Sequence, residues 1–305
     1  MTEPSAERRM WALFEPLHAV TYFAPQCGPA FEEAGLTGFW RRYFAGRAAA
    51  LGPIGPEPVT AAFFGFAPAM VARALPGVWS RITPSAAVAA RTAGATAALT
   101  ELFAGPPPAK AGPPLGEAGM SPDRAGLSSV QIAEAADLLG EAARAVDLPG
   151  RVLAAAHAGL PWPADPVARL WHAATILREH RGDGHVAALL TTGVDGAESL
   201  AWRASLEGGR LREVTQPARG WTDEEWEAAA ARLCDRGWVA ADGSATAAGR
   251  EAYARVETLT DQLAAGPWAR LGAAATQRCA ELLAPLADRA RQVIPDDNPI
   301  PLRRH

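Results

Sequence analysis

The sequence predicts a mainly α-helical protein, with an N-terminal helical subdomain packed on a C-terminal helical body that carries a short β-ribbon. Three observations lead there. Apolar residues recur at helical spacing over most of the 305 residues, in segments opened by Ser, Thr or Asp and often by proline at the first helical position. Strand-like patterning is confined to WVAADGSAT at 238–246. One run rich in Pro and Gly, GPPPAKAGPPLGEAGMSPDRAG at 105–126, divides the helical segments into two blocks.

In the first block, helices are expected near 6–24, with a kink at Pro16, and near 37–50, 58–75 and 84–103, the last capped by Thr83 with Pro84 at its start. The second block opens near 129–146 under Ser128, continues near 151–159, and resumes at Asp165 and Pro166 in a helix expected to end at Arg181. Helices near 184–192 and 196–206 precede a long polar connection. Thr222 and Glu225 then have capping-box spacing, the helix they open stops at Gly237, two short strands flank an Asp242-Gly243 turn, and a last helix starts near Ala247. The resulting division is 1–104 for the N-terminal subdomain, 105–127 for the linker, 128–293 for the body and 294–305 for a tail.

Helix, helix, helix, ribbon, helix is the order of a winged helix, here over about 184–265. The stretch RLCDRGWVAADGSATAAGREAY resembles the end of a MarR-type regulator's wing module. More widely, AFEEAGLTGFWRRYFAGR, FFGFAPAMVARALP, LREHRGDGHVAALL and QPARGWTDEEW resemble an uncharacterised actinobacterial helix-turn-helix family, some of whose members carry SalK-like labels. That resemblance implies a fold more than an activity.

The net charge of −4 offers no general attraction for nucleic acid or an anionic membrane. Residues 222–250 are the one route to DNA, and they are poorly suited to it. A helix entering the major groove there would lead with Asp223, Glu224, Glu225 and Glu227, which repel phosphates. Over 221–250 six acids face three arginines. No membrane association is expected either: the uncharged apolar stretch at 58–72 is shorter than a bilayer requires and contains Pro68. Glu15 and Pro16 interrupt the first apolar run, so no leader is read. Cys27, Cys234 and Cys279 are odd in number and dispersed, which fits reduced thiols and a cytoplasmic location.

The octapeptide REHRGDGH, 178–185, concentrates the chemistry. Its simplest account is a helix junction in which Gly182 ends one helix and Asp183 caps the next. Yet Arg178 and Arg181 continue the apolar stripe of Val167, Leu170, Trp171, Ala174 and Leu177, so both aim at the core and need an anionic or carbonyl partner, from the protein or from a ligand. Were Asp183 a cap, His185 would stand neutral beside free N–H groups at a helix N-terminus, a natural anion site. His180, Asp183 and His185 could meet around a metal, but no HExxH or paired-cysteine spacing supports one, so no metal site is assigned. In the first helix, Trp11, Phe14, His18 and Tyr22 share a face with Glu15 beside them.

The expectation is therefore a pocket for a small anionic or carbonyl-bearing metabolite, lined by His18, Tyr22, Arg178, His180, Arg181, Asp183 and His185, with the winged helix as scaffold. A ligand-responsive MarR-like regulator and an acid–base enzyme using His18, Tyr22 and His185 are the alternatives. No cofactor is assigned, and an oligomer is left open.

Overall fold

The computed structural model describes residues 4–105, 128–208, 210–295 and 298. The linker expected at 105–127 lies, apart from Gly105, outside the described residues, as does most of the 294–305 tail. Prolines open several helices, where their missing N–H costs nothing. In the first block α1 (Ala6–Phe23) runs through Pro16 and is followed by α2 (Cys27–Glu33), α3 (Phe39–Ala48), α4 (Pro56–Phe63), α5 (Pro68–Ala72) and α6 (Pro84–Ala104). The second holds α7 (Ser129–Arg144), α8 (Val152–Ala158), α9 (Pro166–Thr191), α10 (Gly196–Glu207) and α11 (Arg210–Arg219). It ends with α12 (Asp223–Asp235), α13 (Ala247–Ala264), α14 (Gly266–Leu271) and α15 (Ala273–Arg291).

The architecture is all-α, and the winged helix with its β-ribbon is corrected. Among the described residues the β-pairing is a single antiparallel bridge, Val239 to Ala245. Its neighbours explain why no ladder grows. Asp242 Oδ1 accepts from the Ser244 N–H at 2.9 Å and its hydroxyl at 2.7 Å, which closes a tight local turn. The Ala245 N–H donates sideways to the Ser205 carbonyl at the end of α10, and Thr246 is already the cap of α13. Two cross-turn bonds flank the bridge, from the Ala240 N–H to the Ser244 carbonyl at 2.8 Å and from the Thr246 N–H to the Trp238 carbonyl at 3.0 Å, and the start of α13 at Ala247 stops the pairing there. The long polar connection expected after 206 is also largely helical, as α11.

Helix α9 is the spine of the molecule. It packs against α1, α6, α7, α8 and α13, and it is buried on most sides. Met10, Phe14 and Leu17 of α1 and Leu99 of α6 share one core with Leu139, Leu170, Ile176 and Leu283. A second core gathers Phe44, Phe63, Phe66 and Leu75, and a third gathers Leu189, Trp202, Trp226 and Leu233.

The junction expected inside REHRGDGH does not exist, because α9 is one helix from Pro166 to Thr191. Asp183 is a cap for another helix: its Oδ2 accepts from the Leu153 and Ala154 N–H groups, both at 3.0 Å, at the start of α8. Gly184 gives passage to Arg151, which donates to the His180 carbonyl at 2.6 Å and the Leu263 carbonyl at 2.7 Å. A Cβ at Gly184 would collide with that guanidinium and stand 3.2 Å from the Leu263 Cβ, whereas at Gly182 it would meet only Glu179 Oε2 at 3.9 Å.

The two glycines should thus respond oppositely. Gly182→Ala should gain up to about 1 kcal/mol from helix propensity, while Gly184→Ala should lose about 1–3 kcal/mol because Arg151 must abandon both carbonyls. Denaturant midpoints of the two variants check this; a common direction of change would refute the packing argument.

Candidate functional site

Helices α1, α3, α9, α10, α11 and α13 and the 62–66 segment enclose a cavity of about 800 Å³. The long helix turns one face to it, carrying Arg178, Arg181, Gly182 and His185. From α1 come Arg8, Trp11 and Glu15, and from α13 come Tyr253, Glu257, Thr260 and Asp261. An apolar wall opposite is made by Phe63, Phe64, Phe66 and Leu200.

Charge is organised into two clusters. In the first, the buried Glu179 accepts from Arg178 at 2.8 Å and from Arg47 of α3 at 3.1 Å, and Arg178 reaches on to Glu15 at 3.5 Å. Burial opposes ionisation of Glu179, but Arg178 and Arg47 overcome it and hold the carboxyl well below its ordinary range. For Glu15 burial wins, helped by repulsion from Glu179, and its pKa is raised despite Arg178. In the second cluster, Arg181 binds Asp261 at 2.8 Å and lies over the Trp11 ring at 4.7 Å. Arg8 meets Asp261 at 2.7 Å and Glu257 at 2.9 Å.

Of the residues expected to form a pocket, Arg178, Arg181 and His185 line this cavity together; His18, Tyr22, His180 and Asp183 do not. Nor does His185 have the helix N-terminus expected for it, since it lies inside α9. The Thr260 hydroxyl donates to the Val256 carbonyl at 2.8 Å, so His185 Nδ1–H is the donor in its 3.0 Å bond to Thr260, and burial lowers its pKa. His18 and Tyr22 belong to a separate buried relay. Arg91 donates to the Tyr22 oxygen at 3.1 Å, Tyr22 to His18 Nε2 at 3.0 Å, His18 Nδ1–H to Thr175 at 3.0 Å, and Thr175 to the Trp171 carbonyl at 2.9 Å. Every polar atom in it is used, and burial foremost, with Arg91 and Arg178, keeps His18 neutral. His180, behind the cavity, is pushed down to about 4 by burial and Arg151; burial lifts Asp183 to about 6.

Sequence reasoning missed Glu179 as the partner of Arg178 and Asp261 as the partner of Arg181, and missed Arg47, Arg219 and Glu257. Signals existed for some of them. Tyr43 and Arg47 are four residues apart on an otherwise apolar face, and Glu257 and Asp261 repeat that spacing on α13.

At the α3 end, the Tyr43 phenol accepts from Arg47 at 3.1 Å, and Arg219 lies over the Phe66 ring at 4.3 Å. Burial disfavours the phenolate, yet Arg47, Arg219 and Arg178 together bring Tyr43 down to about 8.

Arg219 ends α11, and its carbonyl accepts from the Ala67 N–H at 2.9 Å. The turn that follows, Gly220 to Thr222, leads into α12, so a helix, a turn and a helix follow one another here, and of this unit Arg219 lines the cavity. Residues 65–70 cover this turn. Trp221 Nε1 donates to the Gly65 carbonyl at 3.0 Å, and Gly220, at φ +77°, leaves no space for a Cβ beside Met70. On α12 the exposed first turn is acidic, with Asp223 taken by Arg212 and Gln216. Arg232 is paired with Asp195 at 2.6 Å and Glu198 at 2.8 Å, and Arg236 with the Gly193 carbonyl at 2.7 Å.

These features define a class, an all-α protein in which a helix, a turn and a helix adjoin a charged cavity through Arg219. The sequence profile of the helix-turn-helix family matches residues 7–295, and the chain belongs to that family. No curated protein and no solved structure matches the chain. Among the described residues no helix is long and apolar enough to cross a membrane, and no cluster of three or more His, Cys, Asp or Glu side chains is arranged to hold a metal ion.

The depressed Tyr43 pKa gives a signed prediction. Lying below its ordinary value of 10.0, it makes the folded protein bind fewer protons than the unfolded chain between about 8 and 10. This group's contribution is complete above pH 10 and lost as pH falls through 8. Stability measured in denaturant should therefore rise across that window in the wild type and rise less in Tyr43→Phe, and ultraviolet titration of the three tyrosines should lose its earliest phase in the variant.

Proposed function

We propose that the protein binds a small anionic or carbonyl-bearing metabolite with an apolar body in the cavity between α9, α11 and α13. The observation that carries this reading is the lining itself. Seven arginines against five carboxylates face an aromatic wall in a space of about 800 Å³, within the range of sites for small organic ligands. Arg178, Arg181 and His185 are the expected residues that support it, whereas His18, Tyr22, His180 and Asp183 act by holding the helices in place. The division into 1–104 and 128–293 belongs to the same proposal, the ligand lying between a wall from each block.

The test is a thermal-shift screen of aromatic carboxylates, phosphates and neutral carbonyl compounds. A ligand present at about a hundred times its dissociation constant should add roughly 2.7 kcal/mol of stability. Leu200→Trp, which fills the cavity from its apolar side, should abolish the shift; a shift indifferent to that change would place the binding elsewhere and defeat the proposal.

A ligand-responsive, MarR-like transcriptional regulator is the second reading, favoured by membership of a helix-turn-helix family. The surface of α12 argues against groove insertion as it stands, since Arg232 and Arg236 are already engaged and the leading turn is acidic. Mobility-shift assays on the DNA upstream of the protein's own coding sequence should show weak binding without sequence preference. Tight, salt-sensitive binding lost on changing Arg232 or Arg236 would reverse the order of the two readings. The acid–base enzyme has less support, because His18 and Tyr22 lie outside the cavity with their donors and acceptors occupied.

A further inference from the structure

Five of the arginines around the cavity, Arg8, Arg47, Arg178, Arg181 and Arg203, have a carboxylate partner. Arg250 is exposed, so water serves it. Arg219 is different. It is half-buried, it hydrogen-bonds the Tyr43 phenol, and Arg47 and Arg178 act on it as like charges. A guanidinium removed from water among like charges is unfavourable without an anion, and a phenol is a weak substitute for one.

We propose that Arg219, with Tyr43 beside it, is the seat for the carboxylate of an aromatic acid whose ring lies against Phe66 and Phe63. This deepens the binding reading above and rests on it. The planar fork of Arg219 offers two parallel donors, the geometry that a carboxylate accepts. The surroundings select for an attached ring. Phe66 lies under the guanidinium, with ring centroids 5.4 Å from Tyr43 and 6.1 Å from Phe63, so an aromatic body extends an existing stack. An inorganic anion would satisfy Arg219 but leave most of the space of about 800 Å³ unfilled. Tyr43 gives up its contact with Arg219 to the incoming carboxylate and keeps its bond from Arg47.

The experiment compares naphthoate with naphthylmethanol, the same ring without the charge, by calorimetric titration of the full chain. The wild type should bind the acid at least roughly tenfold more tightly than the alcohol, the worth of a charge-assisted pair. Arg219→Gln should remove that preference, weakening the acid far more than the alcohol. Arg219→Lys should keep part of it, and it provides the measurement if the glutamine variant does not fold, as judged by circular dichroism. Equal affinity for the two probes in the wild type, or an undiminished acid preference in both variants, would overturn the seat while leaving the cavity reading standing. Inorganic phosphate displacing naphthoate as well as benzoate does would overturn the aromatic-acid assignment. Binding of neither probe, together with no stabilising compound in the thermal screen, would remove both.

Discussion

The cavity exists because of a buried carboxylate. Glu179 sits in the middle of the spine helix, with Arg178 next to it in sequence and Arg47 arriving from α3. Desolvating three such groups costs several kcal/mol each before their attraction is counted. Apolar side chains of similar volume would often hold two helices together at least as well. What the ionic arrangement adds is exclusivity. A carboxylate with two fixed cations is satisfied only when α3 stands at one distance and rotation from α9, and the loss of one partner strands the other at a cost of about 3–5 kcal/mol. Glu15 extends the same constraint to α1 through Arg178. Three helices are thereby held around a space that their side chains do not fill.

The spine keeps its length through the same economy of groups. A stretch with glycine on either side of an aspartate reads locally as a stop, since Asp favours caps and Gly lowers helix propensity. Tertiary partners override both preferences here. Asp183 supplies to α8 the cap that Arg151, at the capping position, does not provide from its own side chain. Arg151 in turn occupies the groove left open at Gly184 and ties α9 to α13 through two carbonyls. Asp183 and the His180 carbonyl beside the apparent break each have a partner more than twenty positions away in the chain.

This is also the limit of what could be read in advance. Helices that begin with Ser128, Asp165 or Thr222 were legible because their caps are local, and all three side chains accept from the first turn. The inward aim of Arg178 and Arg181 was legible because periodicity is local too. The continuity of α9 was not, nor was the absence of a ribbon. The first depends on bonds to distant groups, such as Asp183 to α8, and the second on where α13 begins, which leaves the pairing at one bridge. The pairing of the stripe arginines was half legible, in that their burial required acids, but which acids was a question of topology. His18 and Tyr22 were recognised as buried polar groups, and their partners Arg91 and Thr175 lie on other helices, so only the fold shows that the relay is closed.

The same long-range bonds decide what the helix-turn-helix can do. A reader of DNA needs its second helix exposed, and α12 is exposed, but its turn is not independent of the interior. Ala67 and Gly65 bind the backbone on one side and the indole on the other side of Gly220, and they lie in the segment whose neighbours Phe63, Phe64 and Phe66 wall the cavity. Phe64 holds a left-handed backbone, φ 50°, that a β-carbon disfavours, and its carbonyl lies against Gly196, where any side chain would collide with it. A displacement of the phenylalanine wall cannot be absorbed there by the usual slack of a loop. The wall is thus tied on one side to α10, through the close approach of the Phe64 carbonyl to Gly196, and on the other to the turn before α12, through the bonds of Ala67 and Gly65.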